Sequence, residues 1–486
     1  MESIKLRKIT SLWIITVLAL FIVNIVLGIL MRLNQGEIIH EQPSTFYAHM
    51  TTHGLTQIGI WLVAGLAGVN YLMERYFKTS YLANVVAMIL TVIGILMLWT
   101  STYIGNFHAG WTFLYPLPLK IMWAKWATPM FLGSILVMGT GWLIWAVSLM
   151  TQILKNYPLT KALAWQHFKK NPEVQTPPFI LISMITLIGI ITCLLGAVLL
   201  LGMYAAEYFS NGTFVNDALL MKNITYFFGH TIANEVLYLG LAIIYELFSE
   251  VSGRAKWKTT WYVALAWNCT LVFILTAFFH HLYMDFVQPV GLQIFGQIAS
   301  YMASLPAAGV TVFSVMVAVY RTPLKWSLTN LLFFIGVAGW VIGGLGAVID
   351  VTISNNFILH NTLWVPAHFH TYNVLGNVLF SLAFFHWFSI QFDKQANSER
   401  FSKLKLSLLL IGGIGFLLAF YIGGAESIPR RYSNYPAEFP MGVPLAVGAA
   451  VFAALYLAAI IIFFFQITKR CLNIYCHLHR VKFLLL

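Results

Sequence analysis

The sequence predicts an all-α polytopic membrane protein of twelve transmembrane helices, and three observations carry that expectation. Of 486 residues, 59% are hydrophobic and only 9% are charged, whereas a soluble domain carries about 25% charged residues. The apolar runs are continuous and close to the about 20 residues that cross a bilayer as a helix, unlike the short alternating segments of a barrel. The 28 basic residues also divide unevenly between alternate connections. Disorder and collagen-like repeats are excluded by the same composition. A net charge of +12 would raise nucleic acid as a partner in a soluble chain, but here the placement of the charges matters more than their sum. The expected surroundings are lipid, and no nucleic acid is expected.

The first run, residues 9–31, is uncharged over 23 residues, longer than the apolar core of about 7–15 residues in a cleaved leader. It is therefore expected to remain as a span. The next five runs are 50–72, 81–104, 130–153, 179–204 and 224–245. The second six are 259–283, 292–320, 326–349, 363–388, 406–422 and 441–467. Between the third and fourth, the aromatic stretch 107–115, followed by Pro116 and Pro118, is expected to form an outer interfacial loop. The polar stretch 158–178 is the longest loop and is expected inside.

With this count, 22 basic residues fall at the two termini and in the even-numbered connections, among them Lys5, Lys170, Lys325, Lys394, Arg400, Arg480 and Lys482. Only six, Arg32, Lys120, Lys125, Lys222, Arg430 and Arg431, fall in the odd connections. The positive-inside rule then places both termini in the cytoplasm. No linker or composition shift divides the chain, so residues 1–486 are expected to be one twelve-helix domain. Cys193, Cys269, Cys471 and Cys476 have no metal-finger or disulfide spacing and are expected as small buried or interfacial side chains.

Ionisable groups inside spans are functional candidates by default. His53, His230, His280, His281, His368 and His370 lie on four of the runs, all within roughly 3–11 Å of the outer ends at about 1.5 Å per residue. A lone histidine in a helix is usually a hydrogen-bonded structural residue; six at one depth are hard to explain as packing. Imidazole is a common ligand for haem iron, copper and non-haem iron. His368 and His370 point about 200° apart on a helix, so one helix can serve two centres on opposite sides. His280 and His281 diverge by about 100°, so both reach one metal only near a helix irregularity or from a neighbouring pocket. His230 would complete a three-histidine site.

These motifs resemble subunit I of the haem-copper oxidase superfamily over essentially all twelve helices. The residues that carry the resemblance are Thr52-His53-Gly54, Phe228-Gly229-His230, His280-His281, His360-Asn361-Thr362, Pro366-Ala367-His368-Phe369-His370 and Pro429-Arg430-Arg431. The His360-Asn361-Thr362 triplet is similar to the B branch. The resemblance implies that His53 and His370 are axial ligands of a low-spin haem, of b type. It implies that His368 holds a high-spin haem, with His230, His280 and His281 around the facing metal. Arg430 and Arg431, with His360 and Asn361 nearby, would meet the haem propionates, which the planar guanidinium suits.

The chain departs from the oxygen-reducing members of the family at one position. Where their A and B branches carry a tyrosine four residues after the first metal-ligand histidine, this chain has Asn234; the C-branch tyrosine position is Ile274. Four residues bring Asn234 round to the metal face, but an amide is not a redox-active phenol. Glu235 offers a carboxylate for proton delivery or for iron, although its five-residue offset turns it about 140° from His230.

A retained metal site without the phenol favours reduction of nitric oxide, a two-electron reaction, over the four-electron reduction of oxygen. The alternative is a terminal oxygen reductase, cytochrome c or quinol oxidase; a non-catalytic haem scaffold or transporter is a minor third reading. Three histidines without a well-placed carboxylate suit copper, with non-haem iron as the alternative. No haem-attachment or cupredoxin motif is present, so electrons must come from cytochrome c, a cupredoxin or a quinol. A smaller subunit with an outer-facing electron-transfer domain is expected. Thr311, Ser314 and Tyr320 offer hydroxyls on the eighth run, although in a membrane helix such groups more often bond their own backbone.

Overall fold

A computed structural model describes residues 4–120, 122–169, 174–210, 212–285, 287–321, 324, 326–392 and 402–483, with side chains to 473. Lys170, Lys325, Lys394 and Arg400, and the side chains of Cys476, Arg480 and Lys482, lie outside the described residues. Among the described residues twelve helices are long and apolar enough to cross a membrane. They are α1 (Ile4–Gln35), α2 (Pro43–Met73), α3 (Tyr81–Ile104), α4 (Ala127–Asn156), α5 (Pro178–Phe209) and α6 (Ala218–Val251). The second six are α7 (Trp261–Leu282), α8 (Val290–Val319), α9 (Leu328–Val351), α10 (Trp364–Ile390), α11 (Ser402–Ala425) and α12 (Gly442–Asn473). All twelve expected runs are helices.

The helices differ most in how far they are wrapped by others. The most apolar window of α2 and that of α10 are each 89% buried, against 28% in α8 and 33% in α12. Both central helices carry histidines. They bury mixed apolar and polar side chains against their neighbours, including Trp61, Phe380 and Phe384, while α8 and α12 show broad apolar faces outward.

Two helices begin earlier than their hydropathy indicates. α2 starts at Pro43, and α6 at Ala218, where the Asp217 carboxylate accepts the Leu220 N–H at 2.7 Å. α2 opens on Pro43, Ser44 and Thr45, and in α6 Lys222 and Asn223 interrupt the apolar run just after its first turn, which is why an apolar window misses both starts. His53 and His230 consequently sit ten and twelve residues into their helices, about 15 and 18 Å from the ends and not 3–11 Å.

Three spans depart from regular α winding close to the histidines. α3 ends in a π turn at Thr100–Ile104, α7 passes into a 3₁₀ segment at Ala277–Leu282, and α10 widens into a π segment at Thr371–Asn377. Departures of this kind gather at functional sites. The aromatic loop is also more than an interfacial cover. Phe107 and Phe113 are buried in it, Phe107 stacks on Phe131 with centroids 4.1 Å apart, and Trp111 seals Gly54 of α2. Of the cysteines, Cys193 and Cys471 are buried, Cys269 is half-buried, and all three are free.

Candidate metal centre

A single cavity of about 300 Å³ reaches all six histidines, which α2, α6, α7 and α10 bring to one end of the bundle. On one side, the His53 and His370 rings face each other with centroids 6.2 Å apart and planes 24° apart. His53 Nδ1 lies 2.8 Å from the Asn24 carbonyl, and His370 Nδ1 lies 2.7 Å from the Pro366 carbonyl. Each Nδ1 therefore donates its proton to backbone, which leaves Nε2 with the free lone pair. Space for the His53 ring comes from Gly28, where a Cβ would lie 3.1 Å from its Cε1. Phe416 and Phe420 flank His370, each 5.4 Å away between centroids. Two imidazole–metal bonds of about 2.0 Å would put ring centroids roughly 6 Å apart, so this pair fits a metal held between the two rings.

On the other side, His230, His280 and His281 offer one ring nitrogen each within 4.8 Å of one another. Their centroids are 4.8, 5.4 and 4.2 Å apart. The irregularity that adjacent histidines need is present: the α winding of α7 stops at Ile274, and the 3₁₀ segment re-aims both rings. Each ring also has a distinct partner. His280 Nδ1 is 2.6 Å from the Ala277 carbonyl and 3.0 Å from Ser300 Oγ on α8. His281 Nδ1 is 3.4 Å from His360 Nε2, and the Tyr226 ring stacks on it at 4.6 Å and 13°. This donor set suits a transition metal with nitrogen ligands.

His368 lines the same cavity, and among the described residues neither of its buried ring nitrogens makes a hydrogen bond, Nε2 lying 3.7 Å from Asp350 Oδ2. A cavity-lining imidazole whose nitrogens are free of hydrogen bonds fits an axial ligand role. Gly346 of α9 lets the two helices close up here, since a Cβ there would lie 2.8 Å from His368 Cβ.

The cavity mouth is cationic. Arg430 and Arg431 line it, as does Arg32, which the sequence reading left unassigned and whose guanidinium lies 4.5 Å over the Phe420 ring. Burial, and then the neighbouring Arg431, pull the Arg430 guanidinium down to about 10, and its buried Nε makes no hydrogen bond among the described residues. That orphaned donor fits an anionic carboxylate group. The arginine loop is tied to the segment before α10: Leu363 N–H donates to the Ile428 carbonyl at 2.9 Å and Arg430 N–H to the Asn361 carbonyl at 3.1 Å. Asn361 thus acts through its backbone; its side chain is exposed and points to Met284 Sδ, 3.8 Å away.

Asn234 lines the cavity below His230, with Nδ2 2.9 Å from the His230 carbonyl and 3.5 Å from its Nδ1. Glu235 does not join it. Its buried carboxylate packs against Gly189 of α5, where even a Cβ would overlap it, and neither oxygen has a hydrogen-bond partner among the described residues. The 140° turn from His230 is the physical reason. Of the α8 hydroxyls, Thr311 pairs with Tyr245 OH at 3.1 Å, Ser314 bonds the Val310 carbonyl at 2.7 Å, and Tyr320 is exposed.

Sequence reasoning missed Asp350, Tyr226 and Trp111. Asp350 is an acidic residue just past the apolar run that ends at 349, where the apolar count stopped. Tyr226 stands four residues before His230, on the same helix face. Either could have been noticed from spacing. Trp111 could not, because only the folded loop brings it to α2.

Comparison with known proteins agrees with this geometry. The family model for cytochrome c and quinol oxidase polypeptide I matches residues 8–465. The chain is 27% identical over 82% of its length to cytochrome c oxidase subunit 1 of Synechocystis, covering 71% of that protein. It is 26% identical over 88% of its length to cytochrome c oxidase subunit 1 of Thermostichus vulcanus, covering 77% of it. A cryo-electron microscopy structure of a haem-copper terminal oxidase dimer aligns with 96% of this chain and 84% of its own, with a TM-score of 0.75 at 19% identity. The fold is that of the haem-copper oxidase subunits I. The chain belongs to that family, and it is an integral membrane oxidoreductase subunit.

Proposed function

We propose that the chain is the catalytic subunit of a nitric oxide reductase: 2 NO + 2 e⁻ + 2 H⁺ → N₂O + H₂O. The observation that carries the reading is Asn234, an amide lining the cavity below His230 where the family's oxygen reductases have a phenol. A haem iron facing a second metal supplies two electrons and two binding positions for diatomic molecules. In this reading His53 and His370 hold the low-spin haem, of b type. His368 holds the high-spin haem, and His230, His280 and His281 hold copper, with non-haem iron as the alternative. Arg430, Arg431 and Arg32 pair with propionates at the mouth of the cavity.

Asn234 bonds its own helix and puts an amide, not a phenol, at this point of the cavity lining. Glu235, one helical step away and facing α5, is a nearby polar group and not a ligand. The 22-to-6 division of basic residues supports a plasma-membrane protein with both termini in the cytoplasm and the metal site toward the outer face. Electrons then arrive from cytochrome c, a cupredoxin or a quinol, through a smaller subunit with an outer-facing domain. Residues 1–486 act as one catalytic domain.

Oxygen reduction is the second reading. The relatives are named cytochrome c oxidases, and Tyr226 stacks directly on His281, which puts a phenol beside the metal ligands from the opposite direction. Two substitutions separate the readings. Asn234→Tyr crowds the cavity and should cut N₂O formation by at least tenfold. Tyr226→Phe removes only a hydroxyl and should leave N₂O formation within about twofold of wild type. If Tyr226→Phe instead abolishes a vigorous oxygen uptake, the second reading holds and the first fails.

A further inference from the structure

The two halves of the metal centre meet at one carboxylate. Asp350, near the end of α9, is fully buried, and its Oδ2 lies 3.6 Å from His360 Nδ1 and 3.7 Å from His368 Nε2. Neither oxygen makes a hydrogen bond among the described residues, and Oδ2 faces both imidazoles. His360 continues the line: its Nε2 is 3.4 Å from His281 Nδ1, and the two rings stand 5.1 Å apart between centroids. Asn356 fixes the corner, donating to the Asp350 carbonyl at 2.9 Å while its Nδ2 stays 3.1 Å from His360 Nδ1. A continuous chain, His281–His360–Asp350–His368, thus joins a member of the three-histidine cluster to the histidine that lines the haem side.

We infer that Asp350 is a positioning residue for both centres: through His360 it orients His281 toward the non-haem metal, and directly it holds His368 and biases its iron toward the oxidised state. Two general effects support this. A carboxylate behind a ligating imidazole orients the ring and raises its basicity, and losing such a partner typically lowers metal affinity by about 10–100-fold. A buried negative charge beside an axial ligand also stabilises the more positive, oxidised iron, so removing it raises the reduction potential. A single acid in contact with both chains would move both properties together. The inference rests on the reading of His368 as a haem ligand, but not on whether the substrate is nitric oxide or oxygen.

The test uses the purified, full-length protein in its native complex, with variants Asp350→Asn, Asp350→Glu and His360→Gln. Three quantities are read: the midpoint potential of each haem by spectroelectrochemical titration, non-haem metal per protein after a fixed chelator challenge, and the low-spin haem spectrum as an internal measure of folding. Asp350→Asn should raise the high-spin midpoint, leave the low-spin midpoint unmoved, and lower metal retention at least tenfold. Asp350→Glu should recover part of both. His360→Gln should lower metal retention while moving the high-spin midpoint less than Asp350→Asn does.

A wild-type high-spin midpoint together with wild-type metal retention in Asp350→Asn would overturn the inference. If that variant loses its low-spin spectrum, the other two decide, and unchanged metal retention in His360→Gln rejects the chain. Wild-type protein without any high-spin haem signal would instead overturn the reading of His368, and the metal-retention arm would still judge the path through His360.

Discussion

The two sides of the cavity are built on different principles. At the His53–His370 side, each ring sits on a long, deeply wrapped helix, and a backbone carbonyl sets the orientation of each imidazole. At the three-histidine side, two of the rings stand on a 3₁₀ segment, and besides the Ala277 carbonyl at His280, side chains from α8, from α9 and from the stretch before α10 hold them. Backbone carbonyls come with the helix and cannot be mutated away, whereas Ser300, His360 and Asp350 can. The first side is therefore robust to substitution around it. The second depends on a network, and mutations there should act at a distance.

The largest effects should come from the ligands themselves. His280→Ala or His281→Ala should remove nearly all non-haem metal while the low-spin spectrum persists; elemental analysis at wild-type stoichiometry would reject the cluster as a metal site. His53→Ala or His370→Ala should do the reverse, abolishing the low-spin haem with the helices still inserted and the non-haem metal largely in place. A full low-spin spectrum in either variant contradicts the pairing.

The contrast sharpens at the next level. Ser300→Ala removes the hydroxyl 3.0 Å from His280 Nδ1 and should lower metal retention about tenfold, with no change at the low-spin haem. Equal losses at both centres would mean general destabilisation and not a network on one side. The smallest effect belongs to Glu235→Gln. Because that carboxylate faces Gly189 and not His230, metal stoichiometry should stay within experimental error of wild type, and a stoichiometric loss of metal would restore it as a ligand.

The difference between the two sides also explains what the sequence made legible. Twelve spans and six histidines on four helices followed from run length and residue spacing, because membrane helices must satisfy their backbone internally and so repeat predictably. The pairing of His53 with His370 came from the family resemblance and not from spacing. The depth of the site was not readable, since the polar opening of α2 and the Lys222-Asn223 break in α6 hide the true helix starts from a hydropathy count. The side chains behind the three-histidine cluster were hidden too, because Ser300, Asp350 and His360 come from separate stretches and meet only in the folded bundle. Trp111 is a further case: a loop with positive φ at Asn106, Gly110 and Phe113 turns in a way that no periodicity announces, and it carries an aromatic ring against α2.

The central claim is that a metal centre with an asparagine at position 234 is suited to a two-electron reaction. Its most direct test is to supply one purified preparation with one artificial electron donor and either nitric oxide or oxygen, and to measure N₂O formation beside oxygen uptake. The account predicts N₂O formation at least tenfold faster than oxygen uptake. Vigorous oxygen uptake with negligible N₂O would contradict it.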